Sequence, residues 1–193
     1  MSTINGLPAH VLLVHAVVVL IPLSSLLLVA TAWLPAARRK LSAFAAVTAT
    51  TTLVSVPITT DAGDWLEHHL PRTPLLRIHT ELGDYMLPWA IALFVVTATV
   101  AAREFLRGRA GSAGQQVSDV DGPGAARTTG GTDHDGIGGR PMTIALALVA
   151  LVVATGSVAT CYRIGDSGAR AAWQGKYSQT AIPTPGKKAS EDG

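Results

Sequence analysis

"HVLLVHAVVVLIP", His10 to Pro22, is the stretch on which the fold turns. It is apolar enough to enter hydrocarbon, yet it carries two imidazoles five residues apart. No charged residue occurs anywhere from Met1 to Ala37. A water-facing helix shows charge on one face within a few turns, so this run expects lipid around it. Three further charge-free windows follow, Leu41–Thr60, Tyr85–Ala102 and Pro141–Tyr162. Each can hold the roughly 17–25 residues that carry a helix across a bilayer.

The composition agrees. Of 193 residues, 48% are hydrophobic and 15% charged, against about 25% charged in an average soluble domain. Mean hydropathy is +0.35. The expected fold is therefore all-α: a four-helix transmembrane bundle with spans at 10–33, 41–60, 83–102 and 141–162. Residues 1–109 would hold the first three spans and an outer loop at 61–82. Residues 110–140 would be a flexible linker, 141–176 the fourth span with an outer motif, and 177–193 a disordered tail. The linker contains "GSAGQQVSDVDGPGAARTTGGTDHDGIGG". It has too little apolar surface to offset the entropy of ordering it. Residues 1–9 carry no Lys or Arg, so the first span reads as a permanent helix rather than a cleaved signal.

Charge in the loops suggests the threading. The first loop holds Arg38, Arg39 and Lys40, and the third opens with Arg103, Arg107 and Arg109. The second has Arg72 and Arg77 against Asp61, Asp64, Glu67 and Glu81. Basic loops stay in the cytoplasm. Both termini and the second loop are then expected outside the plasma membrane, although Arg163 and Arg170 run against that assignment. The net charge of +2 gives no reason to expect nucleic acid. The lone Cys161 excludes a disulfide within the chain.

The second span, "LSAFAAVTATTTLVSVPITT", is rich in Ala, Thr and Ser. Small residues let helix backbones approach, and hydroxyls bond across helices or to their own carbonyls. It is expected to suit the bundle interior better than the lipid face. Pro22, Pro57 and Pro88 fall inside spans, where each removes a backbone hydrogen bond.

With this threading, His10 and His15 enter from the outer side, His15 about 7.5 Å deeper. Five residues turn a helix by about 500°, so the two rings point about 140° apart. They do not chelate one ion as an i, i+4 pair would. His79 precedes the third span, and Gly83 lies one turn on, where it could leave room for a flat group. The fourth span ends in "YRIGDSGARAAW", which brings Asp166 to the same end. Ionisable side chains at membrane depth are costly and commonly functional. Neutral imidazole suits haem iron, zinc and copper, and carboxylates orient such ligands. A histidine near a helix end serves equally well as an interfacial hydrogen-bonding group.

Three stretches carry a resemblance: "GLPAHVLLVHAVVVLIPLS" at 6–24, "HTELGD" at 79–84 and "YRIGDSGARAAW" at 162–173. Together with the four spans they resemble a bacterial family of four-span membrane proteins, domain of unknown function 2231. The resemblance implies a four-helix membrane protein with a paired-histidine opening at His10 and His15 and a further histidine at His79. Some members of that family have histidine where this chain has Asp166.

Two functions are expected to compete. One is an electron-transfer module holding a b-type haem, or a copper or zinc ion, near the outer surface. His15 and His79 would be its metal ligands, His10 a substitute for either, and Gly83 and Asp166 would complete the site. A redox partner or a second copy of the chain would assist it. The other is a cofactor-free membrane scaffold, accessory subunit or pH-sensing protein. No serine or cysteine nucleophile motif supports a hydrolase.

Overall fold

A computed structural model describes residues 3–4, 6–71, 73–118 and 139–176. Most of the expected linker and all of the expected tail, 177–193, lie outside the described residues. The chain opens with a two-residue antiparallel pair, β1 (Thr3–Ile4) on β2 (Leu7–Pro8). Gly6 closes that turn at a φ of +79°, a conformation that favours glycine. Among the described residues five helices follow: α1 (Ala9–Trp33), α2 (Pro35–Glu67), α3 (Pro74–Asp84), α4 (Met86–Ser118) and α5 (Arg140–Trp173).

Among the described residues, four segments are long and apolar enough to cross a membrane: α1, α2, α3 with α4 through Arg109, and α5. The expected helical bundle is what forms. The long helices make a ring in the order α1, α2, α4, α5, each packed on its two neighbours, and α3 lies against the end of α5.

The helices outrun the charge-free windows. α2 continues through Asp61 and Asp64 to Glu67, and α5 continues through Arg163 and Asp166 to Trp173. Lipid forbids charge, but a helix does not, so charge marks where the membrane ends and not where the helix ends. The expected outer loop at 61–82 is mostly helical for the same reason. Residues 110–118, expected to begin the linker, prolong α4.

Local signals set the breaks. Leu34 alone is extended between α1 and α2, and Pro35 starts the next helix at a position that needs no N–H. Thr73 caps α3 by accepting the Leu76 N–H at 3.2 Å, with Pro74 in the first turn. Tyr85 separates α3 from α4, which puts Pro88 in the first turn of α4, where no helical bond is lost. α1 and α2 pass through Pro22 and Pro57 without a break.

Many large aliphatic side chains point outward, and small residues fill much of the interior beside Ile21, Leu28 and Leu93. Val19, Leu26, Val47 and Val152 are all more than 60% exposed on the outside of the ring. The interior is made of residues such as Ala45, Ala49, Ala90, Ala150, Thr52, Thr97 and Ser157, which suits backbone approach inside a membrane. Among the described residues, Ser24 and Thr52 hydrogen-bond across α1 and α2 in the interior at 2.8 Å. Most other interior hydroxyls donate to carbonyls of their own helix. At Gly156 a Cβ would lie 2.1 Å from the Trp89 ring, so α4 and α5 meet there through an indole lying on bare backbone.

The expectation that the second span sits inside the bundle needs correcting. α2 is a ring member like the others. It turns one stripe inward, Ala45, Thr48, Ala49, Thr52, Val56 and Thr59, and leaves Phe44, Val47, Val54 and Ile58 exposed. Its outward Thr50, Thr51 and Ser55 donate to carbonyls one turn back. A hydroxyl satisfied in this way is tolerable against lipid.

Candidate functional site

The two ends of the bundle differ in chemistry. One gathers Arg38, Arg39, Lys40, Arg103, Arg107, Arg109 and Arg140. The other gathers His10, His79 and, among the described residues, every acid except Glu104. The candidate site is at this second end, where three helices and α3 converge.

His10, in the first turn of α1, is half-buried and places Nδ1 2.9 Å from the carbonyl oxygen of Thr59 on α2. His79, on α3, is half-buried and places Nδ1 3.1 Å from the carbonyl oxygen of Ile164 on α5 and 3.0 Å from Ser167 Oγ. Ser167 itself donates to Ile164 at 2.8 Å. A carbonyl only accepts, so each Nδ1 carries a proton, and in the neutral ring Nε2 is the nitrogen with the lone pair. The two rings meet edge to face, with centroids 6.5 Å apart and planes at 80°.

Both docking points are built the same way. A helical carbonyl at position i points toward residue i+4, whose side chain ordinarily stands over it. Thr59 is followed at i+4 by Gly63, and Ile164 by Gly168. A Cβ on Gly63 would lie 3.0 Å from the His10 ring, and one on Gly168 would lie 2.9 Å from the His79 ring. Each glycine uncovers the carbonyl beneath it, and an imidazole takes the open place. The carbonyl then accepts a second hydrogen bond without giving up the helical one.

The five residues expected in the site divide accordingly. His10 and His79 are brought together. His15 is not: it is exposed on the outside of α1, and its Nδ1 turns back to the carbonyl of Val11 on its own helix. The angular separation expected for the two α1 histidines therefore holds, with His10 turned inward and His15 outward. The expected His15–His79 pair gives way to His10–His79. Gly83 has open space where a Cβ would be. Asp166 is exposed and pairs with Arg170 at 3.0 Å, one turn along α5. Its neighbour Ser167 is the side chain that meets His79, because α5 presents Ile164, Ser167 and Gly168 on the face toward α3.

Sequence reading missed Thr59, Gly63, Ile164, Ser167 and Gly168. A usable signal existed in the two glycines, each four residues past a position, buried Thr59 or half-buried Ile164, on the inward side of its helix. His68 and His69 are exposed and bond back to Asp64 and Trp65 in α2. Among the described residues, no group of three His, Cys, Asp or Glu side chains is placed to hold a metal ion. No protein-family model, curated protein or solved structure matches the chain.

Proposed function

We propose that the protein is a multi-pass membrane electron-transfer module that holds a b-type haem between His10 and His79. The observation that carries this reading is the pair of imidazoles 6.5 Å apart, each with Nδ1 fixed on a backbone carbonyl. That bond sets the tautomer in which Nε2 is the ligand atom, as in metal-bound histidines generally. Imidazole–metal bonds of about 2 Å, with the two ring radii, separate two centroids across one metal by about 6 Å. A bare zinc or copper ion asks the protein for three or four donors. A haem would bring four nitrogens of its own, would ask the protein only for His10 and His79, and would supply electron transfer there.

The test is the absorption spectrum of the full chain, purified in mild detergent from haem-replete cells, oxidised and then reduced with dithionite. A Soret band is expected that is lost in His10→Ala and in His79→Ala and kept in His15→Ala. A colourless, metal-free preparation refutes the haem. The same contacts would then make α3 a clamp between α1 and α5 in a scaffold or accessory subunit.

Orientation is part of the proposal. The arginine-rich end faces the cytoplasm, and the histidine end and both termini lie outside the plasma membrane. A cysteine placed at Ser178 should then react with an impermeant thiol reagent in intact cells, and one at Ala126 should be protected. The reverse labelling overturns the orientation.

A further inference from the structure

The two histidine docks share a glycine and differ in one side chain. Among the described residues, His10 Nδ1 has one acceptor, the Thr59 carbonyl at 2.9 Å. His79 Nδ1 has two, the Ile164 carbonyl at 3.1 Å and Ser167 Oγ at 3.0 Å. Ser167 gives its own proton to the Ile164 carbonyl at 2.8 Å, so the imidazole meets a lone pair of the hydroxyl. A ring turned over about its Cβ–Cγ bond would set a carbon against both oxygens. A neutral ring protonated only on Nε2 would face the carbonyl with a lone pair and would draw the Ser167 proton away from Ile164. Both alternatives break bonds at His79 that have no counterpart at His10. The second acceptor falls where it is needed. His10 belongs to a helix of 25 residues, whereas His79 rides on α3, which has 11 residues and none buried. A helix so short is marginal alone, so α3 depends on its contacts with α5.

We propose that Ser167 is a positioning residue for His79, whose lone pair holds that ring in one tautomer and one orientation. His79 is then the fixed member of the histidine pair and His10 the exchangeable one. The second acceptor also shifts electron density toward Nε2 and makes it the stronger donor to a metal. The tautomer belongs to the chain by itself, while this bearing on a ligand rests on the axial pair proposed above. Ser167 is not placed as a nucleophile. A histidine that activates a hydroxyl must accept its proton, and Nδ1 here is a donor, held so by the Ile164 carbonyl.

The test uses the full chain in nanodiscs, isotopically labelled in the histidine ring nitrogens and read by NMR at a pH where the rings are neutral, first metal-free and then loaded with haem. In the metal-free chain His79 should show a protonated Nδ1. Ser167→Ala should move the His79 nitrogens toward averaged values, because the ratio of that form to the alternatives falls by about fivefold, the worth of one hydrogen bond. The form of His10 should stay as it is. Ser167→Thr keeps the hydroxyl and should restore the parent values. Ser167→Cys, a weak acceptor of the same shape, gives the answer if Ser167→Ala does not fold. In the loaded chain Ser167→Ala should raise the reduction midpoint, since a weaker donor stabilises the oxidised iron less. A midpoint that does not move refutes the bearing on the ligand. An unprotonated Nδ1 in the parent, or His79 signals that Ser167→Ala leaves unchanged, overturns the proposal. Equal averaging at His10 and His79 would mean that the serine only supports helix packing, and overturns it too. A colourless chain whose His79 signals respond to Ser167→Ala refutes the haem and supports the positioning of the ring. A Soret band with unresponsive His79 signals keeps the haem and refutes the positioning.

Discussion

The histidine end and the arginine end solve the same problem in different ways. Each brings polar groups to the edge of a hydrocarbon slab, where unpaired polarity is costly. At the histidine end the partners are backbone carbonyls, opened by glycines and met at 2.9 and 3.1 Å. Position is fixed by helix geometry, and the rings have little freedom. At the arginine end the contact shown is between side chains, Arg38 with Glu104 at 3.4 Å, and Glu104 is the only acid there among the described residues. Directional bonds to backbone make a site that is sensitive to one methyl group. Long flexible cations make a surface that is sensitive to charge and to the surrounding lipid.

The largest expected effect is at the histidine end. Gly168→Ala pushes a Cβ to 2.9 Å from the His79 ring, and Gly63→Ala one to 3.0 Å from the His10 ring. Overpacking of this kind costs about 1–3 kcal/mol, and the hydrogen bond beneath the ring is lost with it. Gly83→Ala is the control. It has open space for a Cβ and lies in a helix, so it should stabilise by about 0.5–1 kcal/mol. Unfolding of the three variants in one detergent, with bound chromophore measured on each, checks this. If Gly83→Ala is as damaging as Gly168→Ala, the glycines serve helix flexibility and do not uncover carbonyls.

The spans were legible because absence of charge is a one-dimensional signal that needs no partner. The pairing of His10 with His79 was not, because it depends on which face of each helix turns inward. Part of that phase was written in α1. His10, Val17, Ser24 and Thr31 recur every seven residues, and the last three are buried. Seven residues make nearly two turns, so His10 stands on the inward stripe and His15 stands off it. The same reasoning on α5 runs through Ser157, Cys161, Ile164 and Gly168 and passes Asp166 by. Asp166 attracted notice because carboxylates orient metal-bound imidazoles. A backbone carbonyl does that as well, and a carbonyl has no letter in the sequence. Only the residue that leaves it uncovered can be read, and glycine has many other uses.

The smallest expected effects lie in the ion pairs, and they separate the two ends again. Asp166 and Arg170 are 45% and 67% exposed in their side chains, so Asp166→Asn should change stability by no more than about 0.5 kcal/mol. Arg38 and Glu104 are 16% and 21% exposed, and Glu104→Gln leaves a largely buried guanidinium without its carboxylate. In neutral lipid or detergent that should cost about 1–2 kcal/mol, between the exposed and fully buried cases. In anionic lipid the cost should shrink, because a headgroup phosphate can take the place of the lost carboxylate. Asp166→Asn should show no such lipid dependence, since its partner already faces water. Unfolding both variants in nanodiscs with and without phosphatidylglycerol measures the difference. A Glu104→Gln penalty that is the same in both lipids would mean that Arg38 answers to the protein alone. The contrast between an end closed on its own backbone and an end open to the bilayer would then be lost.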